Sequence, residues 1–283
     1  MAGGGAALIS FDGLLIRLQD LTPTSVLFWR GLLTGVAFAG IAIFTNRPSS
    51  RDKLVSPRTT SWPGTLLAVV TSLATLTWVF ALTHTTIAHA LVIASCSPIA
   101  TAVLGRLLLG EHLPVRTWVA GLVAAFGVAV VVSGSISSGD FQGDVWAVLA
   151  TGLLALMLIV LRHYQDIDRI KAMSIGGFLL SVVVIPWGVE MPDLRTSVAA
   201  GLDGLIVLPV SLVLITAAPR YLPAAEVGLI LLLEVILAPL WVLVVLGELL
   251  TPQVVLSATV ILGAIVIHSV MDLRKVDALR RGT

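Results

Sequence analysis

Residues 86–132 read TIAHALVIASCSPIATAVLGRLLLGEHLPVRTWVAGLVAAFGVAVVV, an apolar run with Pro98 inside it, a Leu-Gly-Glu stop at 109–111, and Pro114 opening a second apolar run. Shifted by 137 positions, residues 223–253 follow the same plan as PAAEVGLILLLEVILAPLWVLVVLGELLTPQ, and again an apolar run follows. Only seven positions are identical between 86–113 and 223–250, so the repetition lies in the order of features rather than in the letters. A plan repeated about half a chain apart marks an internal duplication. In a membrane protein it points toward a transporter.

Composition sets the class. Hydrophobic residues make up 57% of the chain and charged residues 12%, with a mean hydropathy of +1.04. That charge share is about half of what a soluble domain carries. The charges lie in short clusters between runs of roughly 17–25 residues, the length a bilayer-spanning helix needs. The sequence therefore reads as an all-α polytopic membrane protein, without the alternation of a transmembrane β-barrel. Cys96 is the single cysteine, so no intramolecular disulfide and no cysteine-based metal centre is expected. A net charge of +1 with scattered basic residues argues against a nucleic-acid partner. The start, MAGGGAALIS, lacks a basic n-region, and no cleavable signal peptide is expected. No cofactor or metal site is read from the sequence.

Ten spans are expected, near 2–18, 24–44, 62–82, 86–108, 114–133, 144–161, 172–189, 202–218, 223–246 and 252–271. Pro63, Pro114, Pro223 and Pro252 stand where helices would start, a position that suits a residue without an N–H. Thr251 and Asp144 are read as N-caps. With both termini inside, fourteen of the seventeen Lys and Arg fall on the cytoplasmic side, and the segment 133–144, SGSISSGDFQGD, has none. That bias sets the expected topology in the plasma (inner) membrane. The same segment divides five spans from five. An odd number of spans per half inverts the second half, giving two inverted repeats, residues 1–137 and 138–283.

The run LLLGEHLPVRTWVAGLVAAFGV, after a helix with an internal proline, resembles the EamA repeat of the drug/metabolite transporter superfamily. LLLEVILAPLWVLVVLGELLTPQ looks like a second copy, and FWRGLL at Phe28–Leu33 is similar to the family's second-span arginine segment. The chain departs from the family where Glu234 is followed by Val235 instead of proline. The resemblance implies a ten-span secondary carrier of small metabolites or drug-like solutes, often an exporter, needing no ATP. No G-x-x-x-x-G-K motif is present in the sequence. The implied partners are the lipid bilayer and a small-molecule substrate. Protons as coupling ion, and a monomer or homodimer, stay open.

Ionisable groups inside spans cost about 2.5–3.5 kcal/mol each on insertion scales, so each needs a reason. Asp12 and Arg30 sit at similar depth on the first two spans, which suggests a structural ion pair, with Asp12 also a candidate to bind a proton or cation. Glu234, mid-span with no basic residue expected beside it, is a candidate substrate ligand or proton acceptor, or a helix-to-helix hydrogen-bond donor. Glu226, His89, Ser97, Trp78 and Trp241 complete the substrate-binding or proton-coupling candidates, with Glu226 and His89 equally readable as interfacial residues. His268 receives no role. Pro98 and Pro239 are hinge candidates, because freed backbone groups in a membrane must face a partner or a cavity. Glu111 and Glu248 are read as helix-end scaffolding. An intramembrane lipid-modifying enzyme and a non-transporting scaffold are the alternatives. HExxH and GxSxG are absent from the sequence.

Overall fold

The structure, a computed structural model, describes residues 2–45, 62–110, 126, 141–218, 221 and 224–247, and positions 252, 255, 256, 259 and 263. Among these, every regular element is helical. Six stretches are long and apolar enough to cross a membrane: Pro23–Phe44, Trp62–His84, His89–Leu109, Phe141–His163, Arg169–Trp187 and Leu194–Ala217. The expected spans 114–133 and 252–271 lie outside the described residues, as do Glu111, Glu248, His268, Pro114 and Pro223 and the side chains of Glu226 and Pro239.

The helices are α1 (Ala2–Ile9), α2 (Asp12–Leu18), α3 (Pro23–Thr45), α4 (Trp62–His84), α5 (Ile87–Ala94) and α6 (Ser97–Leu109). Then come α7 (Phe141–His163), α8 (Arg169–Val184), α9 (Leu194–Gly201), α10 (Leu208–Ala217) and α11 (Ala224–Leu246). A π-helical segment, Leu202–Val207, joins α9 to α10 without a break in the chain's course.

Three expectations need correcting. The first run is two helices, broken at Ser10–Phe11, where the Ser10 hydroxyl bonds Ala7 O at 2.6 Å in place of the helical ladder. The eighth run begins at Leu194, eight residues before 202, because Asp193 caps it by accepting from Thr196 N at 2.9 Å. Counting apolar letters hid that start, since the first turn holds the polar residues Arg195, Thr196 and Ser197. Asp144 is not an N-cap: α7 already runs from Phe141, and Asp144 is buried within it.

The fourth run is broken at Ser95–Cys96, just before Pro98. Proline cannot donate to the ladder and tolerates only the first turn of a helix. In contrast, α11 runs uninterrupted through residue 239. Thr86 opens α5 by accepting from His89 N at 3.3 Å, the usual device for pairing an orphan N–H. Both α6 and α11 end on a left-handed glycine, Gly110 (φ 70°) and Gly247 (φ 69°). Each donates its N–H to the carbonyl four residues back at 3.1 Å. A residue with a Cβ strains at that φ, so the glycine of Leu-Gly-Glu is a stop by conformation.

Glycines also set a close helix crossing. On α3 and α8 a Cβ added to Gly31 would stand 2.7 Å from Gly177 O, and one added to Gly177 would stand 2.7 Å from Gly31 O. Small residues let membrane helices approach this way and exchange side-chain bonds to backbone. Accordingly Ser174 Oγ donates to Gly35 O at 2.9 Å and Ser181 Oγ to Phe28 O at 3.2 Å. Further packing joins α4 to α7 and α8, α1 to α10 and α11, and α6 to α7 and α11.

Two apolar clusters sandwich the middle of the bundle. One, with Leu27, Leu82, Ile87 and Leu91, lies toward the α4–α5 turn. The other, with Phe38, Leu67, Leu158 and Met173, lies toward the opposite helix ends. Ile43, Val69, Val182 and Leu205 are exposed on the outside, as a lipid-facing surface requires.

Candidate functional site

Between those clusters lies a cavity of about 170 Å³. Along α4 its wall takes Thr71, Ala74, Thr75 and Trp78, one helical face between Leu67 and Leu82. Along α3 it takes Arg30, Gly31 and Thr34. The α1–α2 break brings Asp12 to it, the α5–α6 break brings Ser97, and α11 brings Glu234. Chain breaks thus stand at the cavity, where freed backbone groups do not meet lipid.

The cavity's charged group is a four-residue constellation built on Arg30. Its Nη1 donates to Asp12 Oδ1 at 2.5 Å and to Asp203 Oδ2 at 2.7 Å. Trp78 Nε1 donates to the other Asp12 oxygen at 2.9 Å. All three ion-pair partners are buried, Asp203 fully and Arg30 to within 4%. Asp12 also opens α2, where the helix dipole favours a carboxylate. Asp203 lies in the π-helical segment, a geometry that occurs often at functional sites. Arg30 Nε and Asp203 Oδ1 keep no hydrogen-bond partner among the described residues. Glu234 lines the cavity within electrostatic reach of Asp12 and Arg30, and no hydrogen bond reaches it among the described residues.

The sequence candidates divide accordingly. Asp12, Trp78, Ser97 and Glu234 share the cavity. Trp241 stands beside it: its ring stacks on Phe11 with centroids 4.6 Å apart and its Nε1 donates to Ser10 Oγ at 3.0 Å, bracing the α1–α2 break. His89 belongs to a second polar group at the α4–α5 turn. There Asp144 Oδ1 accepts from Thr85 Oγ1 at 3.2 Å and lies 3.7 Å from His89 Nδ1, while Arg17 donates to Thr85 O at 2.8 Å. Gly143 closes that end, since a Cβ on it would stand 2.5 Å from His84 C.

Asp203 and Asp144 are the residues that sequence reasoning missed. Both carried a signal, an aspartate at the edge of an apolar run; Asp144 is read as an N-cap and Asp203 receives no role, because both runs are started too late. Placing α9 at Leu194 moves Asp203 from a helix end well into a span.

With this geometry in view, the comparison with known families bears on the first part of the chain. Residues 4–133 match the EamA-like transporter family. The resemblance carried by FWRGLL and LLLGEHLP holds over that segment. The apolar helices make the chain a multi-pass membrane protein, and over residues 4–133, a little under half of it, the chain is similar to a family whose members are transporters rather than enzymes. A crystal structure of a protein 14% identical aligns over 95% of this chain and 96% of that chain at a TM-score of 0.71, a likeness of fold alone. No curated protein matches the chain by sequence.

Proposed function

We propose that this EamA-like protein is a secondary carrier of small metabolites or drug-like solutes, working by alternating access of two inverted five-helix repeats, residues 1–137 and 138–283. The observation that carries the reading is the central cavity: charged, flanked by apolar clusters on both sides, and walled by helices of both halves. Carriers of this architecture hold their site at the repeat interface near the bilayer midplane, next to broken helices.

The packing supports the inverted repeat. With five spans per half, α7 is the mate of α1–α2, α8 of α3, and α9–α10 of α4, while α11 is the mate of α5–α6. Under that exchange the contact of α4 with α7 becomes that of α10 with α1, and α6 with α7 becomes α11 with α1; all four are present. The contacts α3–α8 and α6–α11 map onto themselves. The reciprocal Gly31–Gly177 approach and the matched Gly110 and Gly247 stops fit the same operation.

Both termini face the cytoplasm of the plasma membrane in this reading, which puts the Arg17–Thr85–Asp144 group at the outer end as a closed gate. Outward transport is the direction to test first, as the family resemblance implies. Asp12, Glu234, Ser97 and Trp78 are the substrate-binding or proton-coupling residues, and the α5–α6 break at Pro98 the hinge. The test is solute flux by purified protein in sealed liposomes across a metabolite panel, with and without a proton gradient. No flux for any solute under either condition would overturn the carrier reading and return the enzyme and scaffold alternatives.

A further inference from the structure

Among the described residues, the acids at and beside the cavity outnumber the bases. Asp12, Asp203 and Glu234 face one guanidinium, Arg30, which is shared by two of them through a single nitrogen. Those four are the groups that act on one another there: Asp12 from α2, Arg30 from α3, Asp203 from the π segment and Glu234 from α11. One positive charge offsets one carboxylate. The rest of the negative charge, held in a medium where an unpaired ion is costly, calls for a positive partner, a proton or the cationic end of a ligand. Arg30 is engaged, and its Nε has no access to solvent. An anionic ligand would face Asp12 and Glu234 on the cavity wall, with no free cation to meet among the described residues.

We propose that this cavity recognises a small amphipathic organic cation, an amine with an apolar body about the size of a benzene ring, whose positive charge pairs with Glu234 in competition with a proton. Glu234 is the carboxylate that α11 brings to the cavity wall, and no hydrogen bond reaches it among the described residues. The remaining wall suits the apolar body: Phe38, Met157, Met173, Leu208 and Leu231 line it. Trp78 presents its ring there, fixed by its bond to Asp12, and an indole face attracts a cation. Thr34 adds a hydroxyl without a partner among the described residues, a ready site for an ammonium N–H. The size follows from the volume, since an engineered apolar cavity of roughly 150 Å³ takes benzene.

The inference deepens the carrier reading by naming the substrate class of that site, and its test measures binding apart from flux. The full chain is purified in detergent and titrated with benzylamine, benzyl alcohol and benzoate, which share a body and differ in charge, over about pH 5 to 8, where the amine stays protonated. Benzylamine binds at least about tenfold more tightly than either analogue, and its affinity rises with pH as protons cease to compete. Glu234→Gln removes the preference for the amine, whereas Glu234→Asp keeps it. Equal affinity for the three ligands, benzoate binding best, an amine affinity independent of pH, or an unchanged preference in folded Glu234→Gln would each overturn the proposal. Because the wild-type comparison stands without the variants, a misfolded variant does not blunt the test. Flux of some other solute together with no amine preference sinks this inference and leaves the carrier; amine binding without flux of any solute does the reverse.

Discussion

Helices α5–α6 and α11 are mates in the proposed repeat, and they reach the cavity differently. Ser97 and Glu234 stand 137 positions apart, at matched places in the repeated stretch, and both line the cavity. The first lies directly after a break, where Ser95 Oγ turns back to Val92 O at 2.6 Å and Cys96 N to Ile93 O at 3.1 Å. The second lies inside an unbroken helix. One wall therefore offers a hydroxyl and a helix start, the other a carboxylate. If the proposed repeat holds, unlike chemistry on its two matched walls would give a bound molecule a preferred orientation.

The strongest way to break this comparison is to remove what the walls share. Arg30→Ala leaves Asp12 and Asp203 buried against each other and should cost about 3–5 kcal/mol, the usual penalty for uncompensating a buried pair. Melting of purified protein in detergent reads it; an unshifted midpoint would mean that the cluster does not tie α2 and α3 to the π segment. The next largest effect tests the contact between α3 and α8. Gly31→Leu must push α3 from α8 and should cost about 1–3 kcal/mol by overpacking. Gly152→Ala, with nothing within 4 Å of the added Cβ, serves as its control and should melt no lower than wild type.

Moving the charge sharpens the comparison itself. Glu234→Ser should weaken benzylamine binding by at least about tenfold, or 1.4 kcal/mol. Adding Ser97→Glu should restore part of it, because both positions face one cavity; no recovery in a folded double variant would mean that the walls are not interchangeable. A smaller loss, about 1 kcal/mol, is expected from Thr86→Ala, which uncaps α5 without touching α11. The least effect belongs to Asp193. Its carboxyl is held below the usual range by the hydrogen bond from Thr196 and by Arg195. The cap's contribution is therefore complete above the ordinary carboxylate value and fades as pH falls through the lowered one. Asp193→Ala should flatten the acid limb of the melting-temperature profile, and a limb identical to wild type would remove Asp193 from it.

Much of the frame was legible because it follows from local rules. Apolar run lengths located most of the helices to within a few residues, and the Leu-Gly-Glu stop marked the left-handed end of α6. The Asp12–Arg30 contact was legible too, since two charges at similar depth on consecutive spans have few other ways to be housed. Helix starts built from polar letters were not legible: LRTSVAAG at 194–201 reads as loop until Asp193 is seen capping it. Nor was the displacement of His89 and Trp241 from the cavity, because spacing along a helix says which residues share a face and not which neighbour that face meets.

By itself, the sequence determined that the chain lives in a bilayer, that its elements are helices, and where its glycine stops fall. Those are consequences of hydropathy, run length and the conformational preferences of glycine and proline, all properties of neighbouring residues. Only the tertiary structure decided that Asp203 shares Arg30 with Asp12 across 173 positions. It also decided that the breaks before Asp12 and Ser97 open on the same space as Glu234. A buried charge must find its partner in three dimensions, and the partner it finds depends on how the helices pack.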